Sequence, residues 1–70
     1  MKTLRKRSVM LAGHATSLAL EPEFWSVLEG LAKSRSLSLA ALLADIDETR
    51  EGRSLASACR VVALGFASRR

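Results

Sequence analysis

This sequence has one cysteine, one histidine and one tryptophan in 70 residues. A lone cysteine cannot close an internal disulfide, and it suits a reducing, cytoplasmic compartment. A lone histidine excludes a multi-histidine zinc site. No phosphate-binding loop, metal motif or catalytic constellation occurs, so we expect no enzyme, no metal and no cofactor. No apolar run approaches the ~20 residues of a membrane span, so no membrane role is expected. Residues 1–15 loosely imitate a signal peptide, with a basic start followed by Val9-Met10-Leu11-Ala12. That apolar run is too short and is interrupted by Gly13 and His14. Acids are missing from both ends. Residues 1–20 carry Lys2, Arg5, Lys6 and Arg7, and residues 53–70 carry Arg53, Arg60, Arg69 and Arg70, with no Asp or Glu in either stretch.

The acids sit in the middle: Glu21, Glu23, Glu29, Asp45, Asp47, Glu48 and Glu51. Net charge is +4, and basic ends on an apolar domain point to a polyanion, most simply double-stranded DNA. Hydrophobic residues make up 49% of the chain, too many for a disordered tail. A single domain of this size buries only ~60% of its unfolded surface. Without a disulfide or metal staple, the missing core is expected from a second copy, as an obligate dimer or a higher oligomer.

Thr16 to Leu20 alternates with period two, placing Leu18 and Leu20 toward a core and Ser17 and Ala19 away from it. Ser8 to Ala12 is also strand-like, but Val9 and Leu11 have the opposite parity. A bulge or a turn at Gly13 would restore one face, and the sequence leaves both open. Glu21-Pro22-Glu23 reads as a helix start. Phe24, Val27, Leu28 and Leu31 then follow at helical spacing, with Trp25 and Ala32 beside them. Ser38 caps a second helix bearing the stripe Leu39, Leu42, Leu43 and Ile46, and Ser54 caps a third bearing Leu55, Ala58, Cys59, Val62 and Phe66. The expected organisation is mainly α: a basic arm over 1–7, a strand region over 8–20, and helices over 22–35, 38–50 and 54–67. Taken as one strand before three helices, the strand lacks a partner, and the strand of a second chain is the economical one. The expected dimer core is Leu18, Leu20, Trp25, Leu28, Leu42 and Ile46.

Several short motifs keep a common order: Gly13-His14-Ala15-Thr16-Ser17, Glu21-Pro22-Glu23-Phe24-Trp25, Leu37-Ser38-Leu39, Ile46-Asp47, and Leu55-Ala56-Ser57-Ala58-Cys59-Arg60-Val61. Together they resemble the ribbon-helix-helix family of Arc- and MetJ-type repressors over roughly residues 15–50. The likeness is to a small bacterial branch with a third C-terminal helix. It implies a dimer whose β-ribbon enters a DNA groove. By position, Ala15, Ser17 and Ala19 would face outward, and Ser38 and Leu39 would offer backbone N–H groups to a phosphate. Arg5, Lys6 and Arg7 would add salt-dependent affinity. Alanines cannot hydrogen-bond base edges, which leaves Ser17 as the direct reader on that strand and shifts weight to the basic residues and His14.

His14 has a second reading as a turn residue beside glycine. Arg60 stands alone on an apolar helix and needs a partner. Asp47 or a neighbour on the second helix, in the same or a second chain, is the expected one, as an intersubunit salt bridge. The alternative function follows from the same residue: a ribbon-helix-helix-derived assembly or small-ligand-sensing module holding a small carboxylate near Arg60, with His14 nearby and little DNA binding. An antitoxin would need a toxin-binding tail, and only Ser68-Arg69-Arg70 follows the third helix, which lowers that version of a repressor. Cys59 reads as a small buried apolar residue. The first expectation remains a DNA-binding transcriptional regulator.

Overall fold

A computed structural model describes residues 3–68; Met1, Lys2, Arg69 and Arg70 lie outside it, so the contributions expected of Lys2, Arg69 and Arg70 are not described. The chain runs β1 (Arg5–Leu11), β2 (His14–Leu20), α1 (Pro22–Ser34), α2 (Leu39–Thr49) and α3 (Leu55–Ala67). The strand region is therefore two strands, not one. They pair antiparallel within the chain, from Arg5 opposite Leu20 to Leu11 opposite His14. The expectation of a lone strand waiting for a second chain is corrected: β1 occupies one edge of β2. Arg5, Lys6 and Arg7 of the expected basic arm open β1.

The connection is a two-residue turn, Ala12-Gly13, with φ of 52° and 82°. Two central residues at positive φ are what a type I′ hairpin turn demands. The turn also resolves the parity problem. Its register sets odd-numbered residues of β1 opposite even-numbered residues of β2, and opposed residues share a face. Val9 and Leu11 thus join Thr16, Leu18 and Leu20 on the side facing the helices.

The helices follow their sequence signals closely. Ser38 Oγ accepts from the Ala41 N–H at 3.0 Å, and Ser54 Oγ accepts from the Ser57 N–H at 3.1 Å. Helix α1 starts on Glu21, whose carbonyl accepts from Phe24 at 2.9 Å. It ends in a Schellman motif: Leu37 N–H donates to Ala32 O at 2.8 Å and Ser36 N–H to Lys33 O at 3.0 Å. Ser36 takes the left-handed position that glycine usually fills, at φ 57°.

Helix α3 packs on α1, α2 and β2, while α2 also reaches β1. Between them lies one buried cluster that includes Leu11, Leu18, Leu20, Trp25, Leu28, Leu42, Leu43, Ile46 and Cys59. All six residues expected in a dimer core are buried inside the single chain. β1 adds Leu11 to this cluster and packs Val9 against it. Among the described residues no helix is long and apolar enough to cross a membrane.

Candidate nucleic-acid interface

The hairpin has a second face, turned away from the helices. It presents Lys6, Ser8 and Met10 from β1 and Ala15, Ser17 and Ala19 from β2, paired across the strands as Lys6–Ala19, Ser8–Ser17 and Met10–Ala15. Ala19 is half-buried and the other five are exposed, Met10 to 61%. Ser17 and Ala19 fall on the outward face as the alternation of Thr16–Leu20 indicated, and Ala15 joins them as the resemblance implied. Ser8 and Met10 were missed as surface readers, because they belong to a strand whose pairing the sequence left open. The signal was there in the Ser8–Ala12 run followed by glycine.

This face carries no negative charge, and neither strand contains an acid. Lys6 makes no ion pair with the described residues, so its ammonium is available. The two serines stand directly opposite one another at the centre of the face.

Other expected contact residues lie elsewhere. Arg7 points to the helical side. Its guanidinium lies 4.5 Å from the centroid of the Trp25 ring and donates to Glu29 Oε2 at 3.1 Å. Trp25 also donates its indole N–H to the Arg5 carbonyl at 2.9 Å, fastening β1 to α1. Arg5 is exposed at the start of β1, on the same parity as Arg7. His14 is exposed beside the turn, opposite buried Leu11 and on the helical side of the sheet. Lys6 is thus the one member of the Arg5-Lys6-Arg7 run on the outward face.

Ser38 and Leu39 form the start of α2 as expected. The Ser38 hydroxyl occupies the Ala41 N–H and the Ser38 carbonyl accepts from Leu42, which leaves the first N–H groups of the helix, at Leu39 and Ala40, for an outside acceptor. An open groove of 570 Å³ runs past this point, lined in part by Gly30, Lys33, Leu37 and Leu39. No strand residue lines it, so it is separate from the outward sheet face.

Arg60 does not pair with Asp47. Its Nε and an η-nitrogen reach Glu21 Oε1 at 3.0 and 2.9 Å, and its guanidinium lies 5.7 Å from the Phe24 ring centroid. The α1–α3 packing brings residues 21 and 60 together, whereas the acids of α2 find nearer cations. Asp47 takes Arg50 Nε at 2.8 Å, and Asp45 takes Arg35 at 3.6 Å. Glu21's own backbone N–H, and then the Arg60 guanidinium, hold the Glu21 carboxyl below the usual carboxylate range. A carboxylate ligand at Arg60 would have to displace Glu21. Burial pushes the Cys59 thiol up to about 11, which keeps it protonated and unreactive at neutral pH. Among the described residues no cluster of three or more His, Cys, Asp or Glu is placed to hold a metal.

A two-stranded antiparallel sheet followed by three helices is consistent with a ribbon-helix-helix fold, and a family model described as ribbon-helix-helix domain matches residues 4–66. The chain belongs to the ribbon-helix-helix family. Ribbon-helix-helix proteins are generally DNA-binding regulators that form dimers, on a fold that is not enzymatic. No curated protein and no solved structure matches this ribbon-helix-helix chain significantly.

Proposed function

We propose that this ribbon-helix-helix chain is a dimeric, cytoplasmic DNA-binding protein that regulates transcription, and that it lays the outward face of its hairpin in the DNA groove. One observation carries the reading. The exposed face of the β-ribbon combines an unpaired lysine and two hydroxyls with a complete absence of acids. Phosphate contacts from Lys6 and Arg5, with the open N–H groups of Leu39 and Ala40, supply sequence-independent affinity. The hydroxyls of Ser8 and Ser17 reach base edges.

The partner in the dimer is a second copy. The sheet has only two strands, so each keeps one edge without a neighbour. Because the core is already closed within one chain, the dimer forms through these edges and the exposed apolar side chains, not through Leu18, Leu20 or Trp25.

Anisotropy of a labelled random-sequence duplex, titrated with the protein at rising salt, tests the reading. Binding that weakens steeply with salt is expected. No binding at low salt rejects it. A second reading, assembly in place of DNA binding, is favoured by Val61 and Leu64, which leave an apolar patch of α3 48% and 60% exposed. The small-carboxylate version has less support, since Arg60 already holds Glu21.

A further inference from the structure

We infer that the outer side of α3 is a self-association surface, on which a second copy lays its own α3 antiparallel. The inference deepens the reading that the partner is a second copy. It names a contact that uses neither the sheet edges nor the outward face of the hairpin.

A surface helix ordinarily turns charged residues to solvent. Helix α3 does not. Its one charge is Arg60, and Glu21 of the same chain holds it. The outer side runs through Ser57, Val61, Leu64 and Ser68, whose helical spacing stacks them along one face. Val61 and Leu64 lie exposed at its middle. Beside Val61 is a small cleft between α2 and α3, lined in part by Ile46, Ala58, Val61 and Val62. Leu64 stands next to Gly65, where an added Cβ would meet nothing within 4 Å. An exposed apolar side chain and an apolar cleft thus sit about one turn apart on one helix.

This arrangement is self-complementary. Two copies related by a two-fold axis between Val61 and Leu64 set each Leu64 on the partner's Val61 and its cleft, and each Ser57 opposite the partner's Ser68. No charge is stranded, because the face carries none. The antiparallel sense places the N-terminal end of one helix dipole beside the C-terminal end of the other. Residues 57–68 span ~18 Å, and a strip that long and ~10 Å wide is well below the ~800 Å² per partner of a stable interface. The α3 contact is therefore weak and concentration-dependent, and it adds to the sheet-edge contact.

Sedimentation velocity on the full chain, up to the highest soluble concentration, tests this against Leu64→Glu. Leu64 is exposed in the single chain, so circular dichroism should show an unchanged fold for the variant. At matched high concentration the wild-type assembly should have about twice the mass of the variant's. Ser57→Cys and Ser68→Cys chains, mixed and oxidised, should cross-link to each other faster than either does to itself. Cys59 is buried and does not compete. Equal masses above the monomer for wild type and variant would overturn this inference and leave the sheet-edge dimer standing. The cleft, which Arg50 and Arg53 also line, would then be left to a foreign acidic segment. A wild type that stays monomeric would overturn both. Faster cross-linking of Ser57→Cys to itself would overturn the antiparallel arrangement.

Discussion

Ala12 offers a direct test of the hairpin. It sits at φ 52° as the first residue of the Ala12-Gly13 turn. A left-handed backbone costs an L-residue roughly 1–2 kcal/mol, and asparagine lowers that cost by bonding locally to the backbone. Ala12→Asn should therefore stabilise the domain by about 1 kcal/mol, without altering the core. For a domain of this size, that is a rise of roughly 4–8 °C in Tm. Ala12→Val should cost about 1 kcal/mol or more, since a β-branched residue fits positive φ worst. Ala12→Gly should fall between them, because its relief of strain is offset by about 0.4–1 kcal/mol of extra freedom in the unfolded chain. A continuous strand through Ala12, paired with a second chain, reverses the order: valine would be favoured over asparagine by up to ~1 kcal/mol. Urea denaturation of the three variants, followed by far-ultraviolet circular dichroism, distinguishes the two arrangements. A valine variant more stable than the asparagine variant would refute the turn.

Other expectations follow from the same structure. Ser36→Gly, at the left-handed end of α1, should stabilise by about 0.5–1 kcal/mol in thermal melts. Gly65→Ala should gain up to about 1 kcal/mol, because an added Cβ meets nothing within 4 Å. Trp25→Phe should cost about 1 kcal/mol from the lost indole bond to the Arg5 carbonyl, beyond any packing change, while Trp25→Ala should cost about 3–5 kcal/mol in denaturant titrations. Cys59 should resist alkylation until the protein unfolds. Its raised pKa gives a stability contribution that is present below pH 9 and lost as pH rises through about 11, and Cys59→Ala should flatten that part of the profile. The lowered pKa of Glu21 works on the acid side: its contribution is present above the ordinary carboxylate range and lost as pH falls, and Arg60→Met should reduce that loss.

The helices were legible because their signals are local. Apolar residues at helical spacing and the serines at 38 and 54 define α1, α2 and α3 to within about a residue, consistent with fraying at helix ends. The faces of β2 were legible from alternation alone. The partner of β2 was not. Ala-Gly is a weaker hairpin signal than Asn-Gly, since alanine resists positive φ, and the run Arg5-Lys6-Arg7 reads as a solvated arm. Arg7 nevertheless lies on the helical side, with its guanidinium over the Trp25 ring. The partner of Arg60 was hidden for another reason. Its need for an acid was visible, but the choice of Glu21 over Asp47 is made by the packing of α1 on α3, which joins positions 39 apart in sequence. The same non-local pairing explains why Ala15, Ser17 and Ala19 were legible as outward residues while Ser8 and Met10 were not.

The most direct test of the account is an amide chemical-shift map of the full chain as duplex DNA is added. Perturbations should concentrate at Lys6, Ser8 and Met10 in β1 and at Ala15, Ser17 and Ala19 in β2, with smaller shifts at Leu39 and Ala40. Shifts confined to α3 around Val61 and Leu64, with the hairpin unmoved, would contradict it.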